Sequence, residues 1–305
     1  MKHLIWTVVA MMAMLMVASC GTPESQDTPR GYVKHCIGIL DKEALYADSP
    51  QWRAKKKAVL EQKISTMDEA HALVAEAAGV AGGKHTFLRE PVKDTVSYPE
   101  MEPETKVLKG GILYVKLPAH SGVKVSNAHY MLTVLEFLKD NLEPKGVVVD
   151  LRGNTGGNMY PMIAVISPLI PDGVVLRFKG RKRTTPIWLE AIIQSERVSS
   201  KFIFKKEILP IAVLTDGETA SSGEATLLCF RGLDNVRTFG APTAGYASAN
   251  QSHILKDGYL LAVTISGDMA RTGEIFCDDP IVPDVLTAEP LKDAINWIGS
   301  LSERE

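Results

Sequence analysis

Hydrophobic residues recur at helical spacing through residues 32–84, the first long patterned part of the chain. Two positions there have side chains that cap free N–H groups at a helix start. Ser49 stands directly before a proline, and Thr66 is followed three residues later by Glu69, the spacing of a capping box. The basic residues of the middle helix lie opposite its apolar ones, as expected for a solvated helix face. This pattern predicts a small N-terminal helical domain.

The hydrophobic pattern changes to short, β-branched runs after residue 110. The runs are ILYVKL at 112–117, GVVVDL at 146–151, IAVLTD at 211–216, VRTFG at 236–240 and LLAVTIS at 260–266. They have the composition of buried strands, and helical stretches separate several of them. This alternation predicts an α/β core over residues 111–300, with a parallel or mixed sheet covered by helices, and a connecting segment over 85–110. Chemistry gathers at the carboxyl ends of strands in such sheets.

The first residues of the chain have the pattern of an export signal. Lys2 precedes an apolar run over residues 4–17, and two small residues stand before Cys20. This end resembles the bacterial lipobox, which implies that residues 1–19 are removed and that Cys20 becomes lipidated. An ordinary cleaved signal and a short anchor are the alternatives. The polar residues 20–31 then form a tether to the membrane surface. The expected location is the cell envelope, with the outer membrane favoured because no Asp stands at the second position after the cysteine.

Composition argues against several classes of protein and partner. The chain has 305 residues, of which 45% are hydrophobic and 23% charged, so it is neither a disordered nor a collagenous sequence. Lys and Arg number 34 against 36 Asp and Glu, a net charge of −2, which argues against nucleic acid as the main partner. Cys36, Cys229 and Cys277 follow the signal cysteine in a spacing that fits no zinc site. Isolated buried thiols are favoured over a Cys229–Cys277 disulfide.

Three loops carry candidate chemistry, and the first follows the strand that ends in Asp150. Its glycines, Gly156 and Gly157, allow backbone amides to point into a cavity, as stabilisation of an oxyanion requires. A phosphate-binding loop would need a Lys-Ser/Thr pair that is missing here. A purely structural turn is the alternative. Asp150 and Arg152 are expected to hold the turn by hydrogen bonds, and Asn154 to brace it.

The second loop leads from the strand at 211–216 into a helix through the small residues GETASSGEA. A hydroxyl at such a turn lies where helix N–H groups and the helix dipole stabilise negative charge. Ser221 is therefore the candidate nucleophile. Capping of the helix by Ser221 or Ser222 is the structural alternative.

The third loop is GGKHTFL, which places His85 at the exit of the helical domain. A serine hydroxyl needs a base to become nucleophilic at neutral pH, and an imidazole has a suitable pKa. His85 is the candidate base, and His120, which follows a strand, is its rival.

Taken together, these segments resemble the tail-specific, or C-terminal processing, protease family, and more closely its tricorn-like branch that uses Ser and His. The resemblance covers about residues 33–287 and rests on segments in the family's order: GVVVDLRGNTGGNM, PIAVLTDGETASSGEA, FGAPTAG, LKDGYLLAVT and IVPD. It implies a crotonase-like αβ core with no metal or organic cofactor. It also implies Ser221 as nucleophile, His85 as general base and the amides of Gly157 and Ser222 as oxyanion donors.

The chain departs from the family pattern at several places. Tyr246 follows Thr-Ala-Gly, where members with a Ser-Lys dyad have lysine, so a lysine base is disfavoured. Lys84 precedes the histidine, where the tricorn-like branch has a hydroxyl residue. The acid that orients the histidine is left open: Asp278 and Glu274 are the leading candidates, with Asp268 behind them. No segment of the size of a PDZ domain separates the two domains, so that peptide-binding domain is expected to be absent.

The resemblance implies a lipid-anchored serine endopeptidase of the cell envelope, with extended peptide segments as substrates and the membrane as a partner through the anchor. Two other hypotheses use the same cleft. A non-catalytic member of the fold would bind a peptide or an apolar ligand, and a small-molecule enzyme would transfer or hydrolyse an acyl group. The presence of both Ser221 and His85 favours an enzyme.

Overall fold

The computed structural model describes residues 26–91, 101–198, 204 and 208–302 of the chain. The predicted signal at 1–19 and the predicted lipidation site Cys20 lie outside these residues.

The N-terminal lobe consists of three helices, α1 (Pro29–Glu43), α2 (Pro50–Glu61) and α3 (Met67–Gly82). Each helix has an N-cap side chain that accepts a hydrogen bond from its first turn: Thr28, Ser49 and Thr66, the last with Glu69 in the predicted capping box. Helix α1 begins within the residues predicted to be tether, because Thr28 and the proline after it form a good helix start.

The rest of the chain forms twelve strands and five helices among the described residues. The strands are β1 (Phe87–Arg89), β2 (Glu104–Leu108), β3 (Ile112–Lys116), β4 (Gly146–Asp150), β5 (Val174–Gly180), β6 (Thr184–Trp188), β7 (Ile211–Thr215), β8 (Val236–Gly240), β9 (Ser248–Ile254), β10 (Leu260–Met269), β11 (Ile275–Phe276) and β12 (Val285–Leu286). The helices are α4 (Asn127–Lys139), α5 (Met159–Val165), α6 (Leu189–Ser195), α7 (Ser222–Leu228) and α8 (Pro290–Ser302).

Six strands form a mostly parallel sheet in the order β12–β8–β7–β4–β3–β2. Strands β3, β4, β7 and β8 are parallel neighbours, so four of the five predicted strands lie side by side. Strand β2 pairs antiparallel with β3 at one edge, although its residues were predicted to be a connecting segment. The mixed α/β architecture that the sequence predicted is therefore present.

The fifth predicted strand, β10, belongs to a second sheet that the sequence did not predict. It pairs antiparallel with β1, β5, β9 and β11, and β6 extends this sheet beyond β5. An apolar run indicates that a strand is buried but not which strands it pairs with. Here the short turn after β9 makes an antiparallel hairpin the local solution for β10.

Helices cover both faces of the parallel sheet. Alternate strand residues point to opposite faces, so Val147 and Val149 pack under α4, α5 and α7 while Val148 packs under α8. This layering leaves the carboxyl ends of β4 and β7 together at one edge, where the loops with candidate chemistry begin.

The helical lobe packs on the second sheet and shares a hydrophobic core with it. One buried cluster contains residues of all three helices and of β10: Tyr32, Trp52, Val74, Leu261 and Val263. A backbone bond from Leu45 N to Thr264 O, 2.8 Å long, joins the same two parts. The chain leaves α3 at the edge of this shared core, which fixes where His85 lies.

The three cysteines of the described residues, Cys36, Cys229 and Cys277, are free thiols, the state that the sequence favoured. No helix in this part of the chain is long and apolar enough to cross a bilayer. The same residues contain no group of three or more His, Cys, Asp or Glu side chains that could hold a metal ion.

Candidate active site

Ser221 lies in the turn between β7 and α7 and has a strained backbone. Its φ of 52° and ψ of −116° lie outside the regions that residues with side chains normally occupy. Such a conformation costs about 1–3 kcal/mol and persists only where the surroundings hold it. Strain of this kind clusters at functional sites, which favours a chemical role for Ser221 over helix capping alone.

The buried carboxylate of Glu224 holds this turn. One oxygen accepts from Ser221 N at 2.9 Å and from Tyr246 N at 2.7 Å. The other accepts from Gly245 N at 2.9 Å and from the hydroxyl of Thr243. Burial raises the pKa of Glu224, and the four donors oppose that shift by stabilising the ionised form. Glu224 thus connects the serine turn to the loop before β9.

The Gly-rich loop after β4 is fixed to the serine turn by Asn154, which is fully buried. Its Oδ1 accepts from Gly156 N at 2.9 Å, and its backbone oxygen accepts from Ala220 N at 2.9 Å. At the start of the loop, the buried Asp150 carboxylate accepts from Arg152 N at 3.0 Å and from its Nε at 2.9 Å. These residues therefore have the bracing roles that the sequence suggested.

Gly157 could not be replaced by a residue with a side chain, because its backbone conformation favours glycine and a neighbouring carbonyl occupies the space that a Cβ atom would need. Its φ is 115°, and a Cβ atom there would lie 2.2 Å from the carbonyl oxygen of His120. At the preceding Gly156, a Cβ would lie 2.8 Å from Cβ of Ser221. The absence of side chains lets the loop approach the serine turn closely.

The amide N–H groups of Gly157 and Ser222 have no acceptor among the described residues. The Ser222 hydroxyl donates to Gly157 O at 2.6 Å, which fixes the two residues against each other next to Ser221. Preorganised, unpaired N–H donors beside a serine hydroxyl are suited to bind the oxyanion of an acyl-transfer reaction. The two predicted oxyanion donors are thus adjacent in the structure.

His85 lies between α3 and β1, and the loop and strand around β9 hold it at three points. Its ring Nδ1 is 2.8 Å from Ser248 Oγ, and its backbone oxygen accepts from Asn250 Nδ2 at 2.8 Å. Its ring also contacts the Tyr246 ring edge-on, with 5.2 Å between the ring centroids. Burial lowers the pKa of His85; the negative charge of Asp278 opposes this, and the positive charge of Lys84 adds to it. The neutral imidazole, which can accept a proton, is therefore favoured.

Ser221 and His85 belong to one cluster but are not directly bonded. Within the described residues no hydrogen bond joins them, and Nε2 of His85 has no partner. They are connected through Glu224, which binds the backbone of both Ser221 and Tyr246, and through the contact of the Tyr246 ring with His85. The helical lobe and the core thus bring the candidate base and the candidate nucleophile to a common region.

Neither leading candidate acid bonds to the His85 ring. Asp278 accepts from Lys84 N at 3.2 Å and from Tyr46 OH at 2.9 Å, and it acts on His85 only through its charge. Glu274 is paired with Arg231 at 2.9 Å on the surface, so the structure does not bring it to the imidazole. The hydrogen-bond partner of Nδ1 among the described residues is a hydroxyl group, that of Ser248, and not one of the candidate carboxylates.

The third candidate acid, Asp268, is fully buried on β10. Its Oδ1 has no hydrogen-bond partner among the described residues. Burial raises the pKa of Asp268 well above its ordinary value, and the nearby charge of Glu224 raises it further. Burial therefore favours the neutral form of Asp268, which would supply no negative charge to an imidazole.

The rival base His120 has a structural place. Its ring is buried, and Nε2 lies 2.9 Å from Asn127 Oδ1. Its backbone forms an isolated β-bridge with Gly157: His120 N donates to Gly156 O at 3.1 Å, and His120 O accepts from Asn158 N at 2.6 Å. His120 therefore supports the Gly-rich loop from behind.

Sequence reasoning missed two residues of this site, for different reasons. Glu224 had a signal, because Ser221-x-x-Glu224 has the spacing of a capping box. Ser248 had none: it is one small residue at the start of a strand, and its contact with His85 joins positions 163 residues apart.

The Asp268→Asn protein is expected to be more stable than wild type, and the difference in free energy of unfolding should grow as pH rises. The folded state keeps a proton on Asp268 that the unfolded state releases above its ordinary pKa of 3.8, so wild type loses stability as pH rises from there toward the raised value. The difference in free energy of unfolding should grow by up to about 1.4 kcal/mol per pH unit in urea titrations. Asp48→Asn, at an exposed site, serves as control. A difference that stays constant with pH would contradict the neutral state of Asp268.

Lys84→Met and Asp278→Asn are expected to shift the pKa of His85 in opposite directions. Removing the cation raises the pKa and removing the anion lowers it, because each charge acts on the imidazolium form. NMR titration of the His85 ring measures both shifts, and Lys292→Met on α8 is the control with no expected change. Shifts of the same sign in the two variants would refute this electrostatic description.

The model of Peptidase family S41 matches residues 111–287, which is more than half of the chain. The Nisin-resistance protein of Lactococcus lactis subsp. lactis is 35% identical over 284 residues, which cover 90% of this chain and 88% of that protein.

Solved structures show the same relationship. A lipoprotein from Streptococcus agalactiae is similar with a TM-score of 0.78 at 28% identity, covering 95% of this chain and 99% of that one. The photosystem II D1 C-terminal processing protease is similar in fold, with a TM-score of 0.59 at 13% identity, covering 85% of this chain and 93% of that one. The predicted resemblance to tail-specific proteases and the predicted α/β class are confirmed. The family match over the core and the 35% identity over nine-tenths of the sequence show that this chain belongs to Peptidase family S41.

Proposed function

We propose that this protein is a serine peptidase of the cell envelope that cleaves peptide bonds in extended segments through an acyl-enzyme. The observation that carries the proposal is the strained turn at Ser221 beside the two unpaired amides of Gly157 and Ser222. A strained hydroxyl residue next to preorganised oxyanion donors is costly to build and has no evident structural benefit. Membership of a peptidase family makes a peptide carbonyl the expected target.

In the proposed reaction, Ser221 Oγ attacks the peptide carbonyl carbon while Nε2 of His85 takes the hydroxyl proton. The carbonyl oxygen becomes an oxyanion and accepts from the amides of Gly157 and Ser222. His85 then gives the proton to the leaving amine as the C–N bond breaks, which leaves an ester on Ser221. A water molecule, deprotonated by His85, hydrolyses this ester and restores the serine.

The reaction requires a hydrogen bond between His85 Nε2 and Ser221, and none joins these two residues in the structure. Catalytic hydrogen bonds are often long or absent without substrate and tighten when it binds. A bound peptide that contacts both residues would bring the Ser221 side chain into hydrogen-bond reach of Nε2. The lowered pKa of His85 keeps the base neutral, and the rate should fall only below its ordinary value of 6.5.

The substrate class is proposed from the Nisin-resistance protein of Lactococcus lactis, which is similar over most of this chain. Nisin is therefore the first substrate to test, followed by a library of extended peptides. A second function deserves the same assay, because the absent Ser221–His85 bond and the absent carboxylate on the imidazole favour a non-catalytic peptide binder.

The location is proposed from the N-terminal sequence. Lipidated Cys20 would begin a stretch of only nine residues, 20–28, before α1 starts at Pro29. Nine residues span at most about 30 Å, so the helical lobe and the site beside it would stay close to the membrane surface. Peptides that act on or near the membrane would then meet the enzyme there.

Ser221→Ala is expected to abolish labelling by a fluorophosphonate and to reduce peptide cleavage at least about 10³-fold, because the nucleophile is lost. Labelling is measured by gel fluorescence, and cleavage of nisin and of the peptide library by mass spectrometry. Ser300→Ala, on the exposed face of α8, is the matched control with wild-type activity. If the wild-type protein is neither labelled nor active on any peptide but binds nisin in calorimetry, the peptidase proposal is wrong. The protein is then a non-catalytic peptide binder.

Cys20→Ser is expected to move the protein from the membrane fraction to the soluble fraction and to stop incorporation of a labelled fatty acid. The reason is that the proposed lipid is carried by this cysteine, and a serine has no thiol to form the thioether. Thr22→Ser, two residues further on, should leave both properties unchanged. Persistent membrane association of the Cys20→Ser protein would contradict the proposed anchor.

A further inference from the structure

The contact between His85 and Ser248 is the one bond that fixes the imidazole ring among the described residues. Ring Nδ1 lies 2.8 Å from Ser248 Oγ, and the serine is 7% exposed. Ser248 is itself held: its N–H donates to Tyr246 O at 2.7 Å, and it pairs with Gly267 in the β9–β10 ladder. A buried hydroxyl on a fixed strand is a rigid partner for a ring nitrogen.

We propose that Ser248 is the positioning residue of this site, whose hydroxyl orients His85 in place of a carboxylate. Nδ1–H of the ring donates to Ser248 Oγ, which leaves Nε2 as the basic nitrogen. The proposal rests on the proposed peptidase function for its catalytic meaning, although the orientation of the ring is a property of the protein alone.

A second contact from the same strand supports this assignment. Ser248 and Asn250 are two residues apart in β9, so their side chains project from the same face of the strand. Asn250 Nδ2 donates to His85 O at 2.8 Å, and Asn250 Oδ1 accepts from Thr264 Oγ1 at 2.8 Å. Strand β9 therefore fixes both the backbone and the ring of His85, a residue that comes from the helical lobe.

Charged and aromatic groups surround the His85 ring, but none of them bonds to Nδ1. Asp278 and Lys84 face His85 with opposite charges, and both Asp278 oxygens accept from other groups, Lys84 N and Tyr46 OH. Tyr246 presents a ring edge-on, with the charged Glu224 behind it on the Tyr246 backbone.

Behind Ser248 lies the thiol of Cys277, and burial raises its pKa to about 11, so it is uncharged at neutral pH. No negative charge therefore reaches Nδ1 through Ser248. A neutral acceptor there fixes the tautomer without stabilising the imidazolium as a carboxylate would. Together with burial of the ring, this favours the neutral form of the proposed base.

Three variants of Ser248 test the proposal on full-length protein. Ser248→Ala should reduce the fraction of Nδ1–H tautomer in ¹⁵N NMR of the His85 ring and lower kcat about 10–100-fold with little change in KM, because only orientation is lost. Ser248→Thr keeps the hydroxyl and should restore both properties. Ser248→Asp should raise the pKa of His85 and move the acid limb of the kcat/KM profile to higher pH.

The controls separate this proposal from folding and from the proposed function. Ser252→Ala, at an exposed position of the same strand, should match wild type in every measurement. Thermal melting shows whether each variant is folded. If Ser248→Ala does not fold, the comparison of Ser248→Thr with wild type decides whether a hydroxyl group at this position is sufficient. An unchanged tautomer in folded Ser248→Ala, or a Ser248→Thr protein that resembles it, would overturn the assignment. Failure of wild type to cleave any peptide would remove the proposed function, while the ring spectra would still decide the role of Ser248.

Discussion

The site depends on one buried carboxylate, that of Glu224, which does not itself react in the proposed mechanism. It accepts from Ser221 N in the core and from Tyr246 N in the loop whose ring contacts His85. Leaving such donors buried without an acceptor would cost about 1–3 kcal/mol each, so the carboxylate and its donors stabilise one arrangement of the two loops. The strained conformation of Ser221 exists only within that arrangement. The relative position of nucleophile and base is therefore set by a residue between them.

Burial favours the uncharged form of two other titratable groups in this region, His85 and Asp268. It lowers the pKa of His85 and raises that of Asp268, so both groups are favoured in their neutral forms. Ser248 at Nδ1 adds no charge to this environment. The result is an imidazole favoured in its neutral form at the junction of two lobes, in the same site as two amide N–H groups that have no acceptor among the described residues. Membership of Peptidase family S41 alone does not specify these features, since the proposed orienting group comes from β9 of this chain.

Much of the site could be predicted because its parts are local. Ser221, Gly156 and Gly157 lie in short loops at strand ends, and the small residues there are required by backbone conformation and close approach. Even Glu224 had a local signal in its spacing from Ser221. Ser248 could not be found in this way, because its contact with His85 is made only when β9 and the helical lobe meet. Glu274 illustrates the same limit, because its ion-pair partner Arg231 lies 43 residues away in the sequence.

The sequence by itself determined the helices of the N-terminal lobe, the four neighbouring parallel strands and the loops with catalytic potential, because caps, β-branched runs and glycines act over a few residues. Only the tertiary structure decided that β10 leaves the parallel sheet for a second one, and that β1 and β2 become strands at all. Strand pairing is a choice among distant partners, and its free energy comes from surfaces that exist only in the folded chain. The same applies to protonation: whether a carboxyl or an imidazole is neutral depends on burial, which a linear sequence does not contain.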